Sequence, residues 1–357
     1  MAKHKLYSTG IPRLFLAGLT SLGLLGSLAG LGLSSPLTAA QAKELTLYTA
    51  RHYSSDDALY AAFTRQTGIK VNVISAGDQP LIERLKSEGP ASPADVLLLA
   101  DAARLWAAEQ DGLFQAHGSR QLEKAIPADL RTQNWVGLTT RARVLIIDPK
   151  RVKASEVLSY SDLAKPEMKG LICTRSGSHP YMLSLFGSML VAEGSAKTEA
   201  WMRAVVANLA RPPKGGDTDQ IRAVASGECA VAISNSYYYA RLMRSNKPAD
   251  QEVVAKTKMV WPNQLKAGAH VNVSGGGIVK TAPNASHART FLEFLAGQAT
   301  QAAFAEGNNE WPVVKGVAAN NPALEKLGGF KADPMPVAKF AAQQRRAQQL
   351  VDKTGWK

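Results

Sequence analysis

Tyr237-Tyr238-Tyr239 is the stretch of this chain most suited to chemistry. The sequence holds nine tyrosines in 357 residues. A buried core rarely takes adjacent phenols, because each hydroxyl needs a partner once it leaves water. The triplet stands where a small apolar strand, Ala230-Val231-Ala232-Ile233-Ser234, turns into a helix. Two other strand-to-helix junctions carry related residues. Arg51-His52-Tyr53 ends one strand and precedes a helix opening near Asp56. Thr174-Arg175-Ser176-Gly177-Ser178-His179-Pro180-Tyr181 follows another strand and leads into another helix. Taken singly, each Tyr or His reads as an ordinary packing residue. Their recurrence at one kind of position suggests a site that collects oxygens, for a metal or for an anion.

At a helix start successive side chains diverge by about 100°. Tyr237 and Tyr238 can therefore converge on one point, while Tyr239 turns back toward its own core. A helix N-terminus favours negative charge, and a metal ligand must be deprotonated, so a hard cation draws phenols down from their usual value of about 10. Oxygen donors with one imidazole suit ferric iron better than copper(I) or zinc. Four phenolates around Fe(III) leave one net negative charge, which Arg143 or Arg175 can offset. His270 reads as a satisfied buried strand histidine, and His179 as a loop residue. Gly275-Gly276-Gly277 lacks the Lys-Ser/Thr of a phosphate loop and reads as a bend or hinge.

The elements that must position these residues follow from periodicity. Strands are expected at 44–50, 69–74, 94–100, 144–147, 170–174 and 253–261, with another at 269–279 broken by its glycines. Helices are expected at 56–67, 81–88, 182–193, 197–209, 218–225, 288–296 and 298–305. Asp101 caps a further helix running to Gln110, and 337–351 forms an amphipathic basic stretch. A β-α-β-α-β-α succession, a second α/β block and a return to apolar helices predict two α/β lobes whose chain crosses back. Ligands of such sheets bind at strand carboxyl ends, so the tyrosines are expected in the cleft.

Residues 1–42 have a basic start, an apolar run and an Ala-x-Ala site ending at Ala42, the pattern of a cleaved signal peptide. Removing Lys3, Lys5 and Arg13 from the formal charge of +13 leaves +10 for the expected mature chain. Without a basic run or aromatic-basic alternation, this surplus does not indicate nucleic acid. It reads first as a solvated surface, and second as one suited to an acidic membrane face or partner. Export makes a Cys173–Cys229 disulfide an expectation. Gly-x-Ser-x-Gly, His-Glu-x-x-His and Cys-x-x-Cys are absent, and the acidic residues do not cluster as a catalytic pair. No enzymatic activity is expected.

Four segments carry a resemblance: LTLYTARHYSSDDALYAAFTRQTGIKV, SPADVLLLADAARLWAAEQDGLFQ, ISNSYYYARL and HVNVSGGGI. Together with the leader they resemble the periplasmic ferric-iron-binding proteins of ABC iron-uptake systems, nearest the cyanobacterial-type branch. The resemblance covers essentially the whole mature chain. It implies a two-lobed periplasmic-binding-protein fold of the transferrin-like kind (type II), with a ligand cleft between lobes and crossover hinge strands. One lobe would take residues 43–144 with about 269–325, the other about 145–268 with 326–357. It further implies Fe(III) held by His52, Tyr53, Tyr181, Tyr237 and Tyr238, a monomer in the periplasm, and delivery to an inner-membrane ABC permease. Around the middle tyrosine the relatives' Asn-x-Tyr-Asn-Gln-Ser is His179-Pro180-Tyr181-Met182-Leu183-Ser184 here, which makes His179 a substitute polar contact or a ligand. The alternative is a protein of the same fold for an organic solute such as thiamine or a polyamine.

Overall fold

The computed structural model describes residues 43–51 and 53–357, so the expected leader and His52 lie outside the described residues. Strand β1 (Glu44–Thr49) buries Leu45 and Leu47 on one face and Tyr48 on the other. Burial on both faces is the mark of a strand inside a helix-covered sheet. Helix α1 (Ser54–Thr67) packs Tyr60 and Phe63 beneath it and stops at Gly68, whose φ of 71° suits glycine. Then come β2 (Lys70–Ser75), α2 (Asp78–Glu88), the wholly buried β3 (Val96–Leu99) and α3 (Ala102–Gln110). Asp101 caps α3, accepting the Ala103 N–H at 2.8 Å, as expected.

After β4 (Phe114–Gln115) and α4 (Arg120–Ala125) runs β5 (Trp135–Ile147), a strand of 13 residues, all buried. Only its end, 144–147, is evident from apolar periodicity. Its first nine residues include Thr139, Thr140, Arg141 and Arg143, each of which makes a side-chain hydrogen bond inside the protein.

The second block holds β6 (Ile172–Cys173), α5 (Pro180–Glu193), α6 (Ser195–Ala207), α7 (Asp217–Ala225), β7 (Val231–Asn235) and α8 (Ser236–Met243). Residues 253–261 are not one strand. They divide between α9 (Pro248–Lys256) and β8 (Lys258–Val260). Pro248 at the first turn and Asp250 just after it begin a helix, and Val253 and Val254 pack inward from it. The expected Cys173–Cys229 disulfide is present, joining the end of β6 to the approach of β7.

Strand β9 (Val271–Val279) runs unbroken through its three glycines, contrary to expectation. A Cβ there would strike the carbonyl oxygens of Val136, Leu97 and Asn134 in turn. The glycines therefore let neighbouring backbone approach and are not a bend. We expect Gly276→Ala to cost about 1–3 kcal/mol through overpacking, measured as a shift of the denaturant midpoint. An unchanged midpoint would refute this account of the glycines.

The sheet order is β2-β1-β3-β9-β5-β7-β6. β1, β2 and β3 are parallel neighbours, as are β6 and β7. β9 is antiparallel to both β3 and β5. Residues 135–142 of β5 pair with β9, and 143–147 pair with β7. One strand thus serves two halves. One half packs β1, β3, α1, α3 and α10 (Ala285–Leu295); the other packs β7, α5, α6 and α7. The chain closes through α11 (Gln298–Asn308), β10 (Trp311–Pro312) and α12 (Pro322–Leu327). The amphipathic tail then divides into α13 (Val337–Ala341) and α14 (Gln344–Thr354). Val337 and Phe340 of α13 pack with Leu105 and Trp135 of the first half. Leu350 and Val351 of α14 pack in the second.

Candidate metal centre

Three helix starts present the tyrosines. Tyr53 is the extended N-cap residue of α1. Tyr181 is the second residue of α5, after Pro180 at its first position. Tyr237 and Tyr238 are the second and third residues of α8. Ser236, at the first position of α8, accepts the Ala142 N–H at 3.2 Å and so ties this helix to β5.

The four phenols line one cavity of about 240 Å³, together with Arg51, Arg141, Arg241 and Glu310. The Tyr181 and Tyr237 hydroxyl oxygens are 3.4 Å apart. The Tyr237 and Tyr238 rings lie 4.1 Å apart and 30° from parallel. Tyr239 turns away, is buried and donates to the Thr257 carbonyl at 2.9 Å. The divergence expected within the triplet is therefore observed.

Cations surround the phenols. Arg241 lies over the Tyr237 and Tyr238 rings at 5.6 and 5.3 Å, and Arg141 over Tyr181 at 5.6 Å. Arg51 lies over Tyr53 at 5.2 Å. Its Nε donates to Asp56 at 2.8 Å and its Nη1 to Thr139 at 3.2 Å. Glu310 accepts the Thr139 hydroxyl at 2.6 Å and stands 3.7 Å from Arg51 and 4.0 Å from Arg141. Arg141 Nη1 donates to Ser274 at 2.8 Å. The buried Nη2 atoms of Arg51 and Arg141 have no hydrogen-bond partner among the described residues. Buried donors of this kind normally meet a partner, and phenolates forming beside them would supply negative charge.

Burial, above all, pushes the phenols of Tyr53, Tyr181 and Tyr237 above their ordinary value near 10. Neighbouring phenols push Tyr237 further in the same direction, while Arg141 opposes the rise at Tyr53 and Tyr181. At neutral pH these three are protonated while the cavity is empty. A cation that takes them as ligands must displace the protons.

Arg143 and Arg175, the expected charge partners of the phenolates, meet at one carboxylate. Both pair with Asp217, Arg175 at 3.1 Å. Burial would raise the Asp217 carboxyl, but the two arginines outweigh it and hold it low. Arg143 also donates to Asn235 at 3.0 Å. Arg175 also lies over the Tyr181 ring, at 5.3 Å. His179 caps α5, its Nδ1 accepting the Tyr181 N–H at 3.2 Å, and its ring meets that of Tyr181 at 4.6 Å. Burial and Arg175 push it down to about 3, so it is neutral. His270 is buried against Phe340, but its Nε2 has no hydrogen-bond partner among the described residues, contrary to the expectation of a satisfied histidine.

The model of the bacterial extracellular solute-binding proteins matches residues 58–334. The chain belongs to that family. This solute-binding protein is 45% identical over 322 residues to Iron uptake protein A1 of Synechocystis sp., covering 90% of this chain and 89% of that one. Among solved structures, Trichodesmium FutA in complex with iron and citrate superposes with a TM-score of 0.86 at 46% identity, covering 88% of this chain and all of that one. The ferric binding protein of Campylobacter jejuni gives 0.82 at 38% identity, with 87% and 99% covered. These relatives carry the two-lobed type II fold of periplasmic binding proteins, which is the fold of this chain.

In the solute-binding protein, Arg51, Arg141, Arg241 and Glu310 line the cavity although the sequence reading did not select them. Arg241 stands three and four residues after Tyr238 and Tyr237, on the same helical face, which was a readable signal. Arg51 directly precedes His52. Arg141 and Glu310 arrive only through the pairing of β5 with β9 and β10.

Proposed function

We propose that this solute-binding protein captures Fe(III) through the phenolates of Tyr53, Tyr181, Tyr237 and Tyr238, with His52 as the fifth ligand. The observation that carries this reading is the convergence of four phenols from three helix starts on one cavity. Hard oxygen donors in that number favour a trivalent cation. The guanidiniums of Arg51, Arg141 and Arg241 more than offset the one net negative charge, with Glu310 between two of them, and Arg143 and Arg175 brace the site through Asp217. The ligands would come from two lobes, 43–144 with about 269–325 and about 145–268 with 326–357, which close on the metal about β5 and β9. The protein would act in the periplasm as a monomer after removal of residues 1–42, and would pass iron to an inner-membrane ABC permease. Protonation of the phenolates or reduction to Fe(II) would release the cargo.

An organic cation such as thiamine or a polyamine fits less well. Glu310 is the cavity's carboxylate, and it is already shared between Arg51 and Arg141. Ferric loading should give one iron per chain and a phenolate-to-iron charge-transfer band in the visible. Protein that stays colourless with ferric citrate and gives a binding isotherm with thiamine would reverse the assignment.

A further inference from the structure

Three buried polar residues outside the cavity, Asp101, Ser184 and Asn272, connect α3 of the first half with α5 of the second and with β9. The Asp101 carboxylate accepts the Ala103 N–H through Oδ1 at 2.8 Å and the Asn272 amide through Oδ2 at 2.9 Å. It also accepts the Ser184 hydroxyl, through Oδ1 at 3.0 Å. Asn272 lies on β9 and returns its own carbonyl oxygen to the Ala102 N–H at 3.0 Å. Ser184 lies on α5, whose apolar side packs in the second half. Helix α3 packs in the first. Asp101 and Ser184 are almost wholly buried, so their bond is sheltered from water and strengthened by the carboxylate charge.

Ser184 stands three residues after Tyr181 on α5, so the two share a helical face. The tyrosine and the serine therefore move together. We propose that the Ser184–Asp101 hydrogen bond is an interlobe latch, which seats the Tyr181-bearing helix against the first lobe and sets the distance between Tyr181 and Tyr53. The proposal rests on the iron reading above. Ser184 is a positioning residue and does not touch the metal. On this proposal the bond holds the closed, loaded state together, so its loss shortens the lifetime of that state. The α3 cap does not depend on it, because Asp101 retains the Ala103 N–H and Asn272.

The test is Ser184→Ala in the full mature chain, compared with wild type and with Asp101→Asn and the double variant. Ferric iron is loaded as citrate, and its transfer to excess chelator is followed through the visible band. Removing a hydrogen bond to a carboxylate is expected to speed release about 10- to 100-fold. The band maximum and the melting temperature of the iron-free protein should stay those of wild type. The double variant should release no faster than the faster single variant, because both remove one contact. Release at the wild-type rate from a coloured Ser184→Ala complex overturns the latch and leaves the iron reading intact. So does an equal loss of stability with and without iron, which marks a packing role. If wild type itself takes up no ferric iron, the iron reading fails and the latch falls with it.

Discussion

Tyr237→Phe should abolish tight ferric binding while leaving the iron-free fold intact. Tyr237 is the most enclosed of the four phenols. Its hydroxyl lies 3.4 Å from that of Tyr181, and its ring lies against Tyr238. In the empty protein that hydroxyl is neutral, because burial and the adjacent phenols raise it. Deleting it strands no charge. Loss of an outer partner of a metal ligand typically lowers affinity 10- to 100-fold. Loss of a ligand should exceed that, so a fall of more than about 100-fold is expected in competition with a chelator. The visible band should weaken and shift, since its donor is a phenolate. Tyr238→Phe should behave similarly. Tyr239→Phe is the internal control. It removes only the bond to Thr257, so it should lower stability by about 1 kcal/mol and leave colour and affinity unchanged. Equal losses of affinity in the Tyr237 and Tyr239 variants would show that the triplet acts through packing and not through coordination.

The second large effect is that iron uptake should release protons and weaken steeply in acid. The phenols of Tyr53, Tyr181 and Tyr237 titrate above their ordinary value when no metal is present, so they hold their protons across the whole range below about pH 10. In the proposed site ferric iron takes the deprotonated forms. Binding therefore expels at least these three protons, and affinity at fixed free Fe(III) rises with pH by about a factor of 10 per unit for each. For three phenols that is about 1000-fold between pH 6 and pH 7. Arg51, Arg141 and Arg241 reduce the penalty by stabilising the phenolates once formed. Proton release can be read in weakly buffered solution after subtracting the protons exchanged by the chelator. A release near zero, with affinity flat from pH 6 to pH 8, would mean that the phenols do not bind as anions.

Much of this centre was legible because its ligand candidates are local features of the sequence. Tyr53, Tyr181 and the 237–238 pair each sit at a helix start that follows a strand, and such junctions are found by periodicity. The helical divergence that separates Tyr239 from its neighbours needs nothing beyond 3.6 residues per turn. The arginines were harder, for a physical reason. Arg141 stands in a stretch of β5 that is too polar to read as buried, and it is buried because Ser274 and Glu310 meet it from distant segments. The same polarity hid the first nine residues of β5. Arg175 stands six residues before Tyr181 in sequence, but Asp217 claims both it and Arg143, and a bond across 74 residues leaves no local trace. The reading of 253–261 as a strand had a different cause: an apolar, Val-containing run with lysines interspersed outweighed the start signal at Pro248 and Asp250. The glycines of β9 seemed to break a strand. Their role is visible only when the backbones of β3 and β5 are in place on either side.

That placement of β9 also governs the order in which the molecule can be completed. Strand β3 ends at Leu99, yet its neighbour on one edge is a strand that begins at Val271. A chain emerging from its N-terminus must carry an apolar, half-paired sheet edge through some 170 further residues of synthesis or export. Sheet edges left open in this way invite pairing with other chains, and contacts so distant in sequence form slowly. The first half of the molecule is therefore among the first parts made and among the last to finish folding. A chain truncated before residue 271 should accumulate as an aggregation-prone fragment rather than as a small folded lobe.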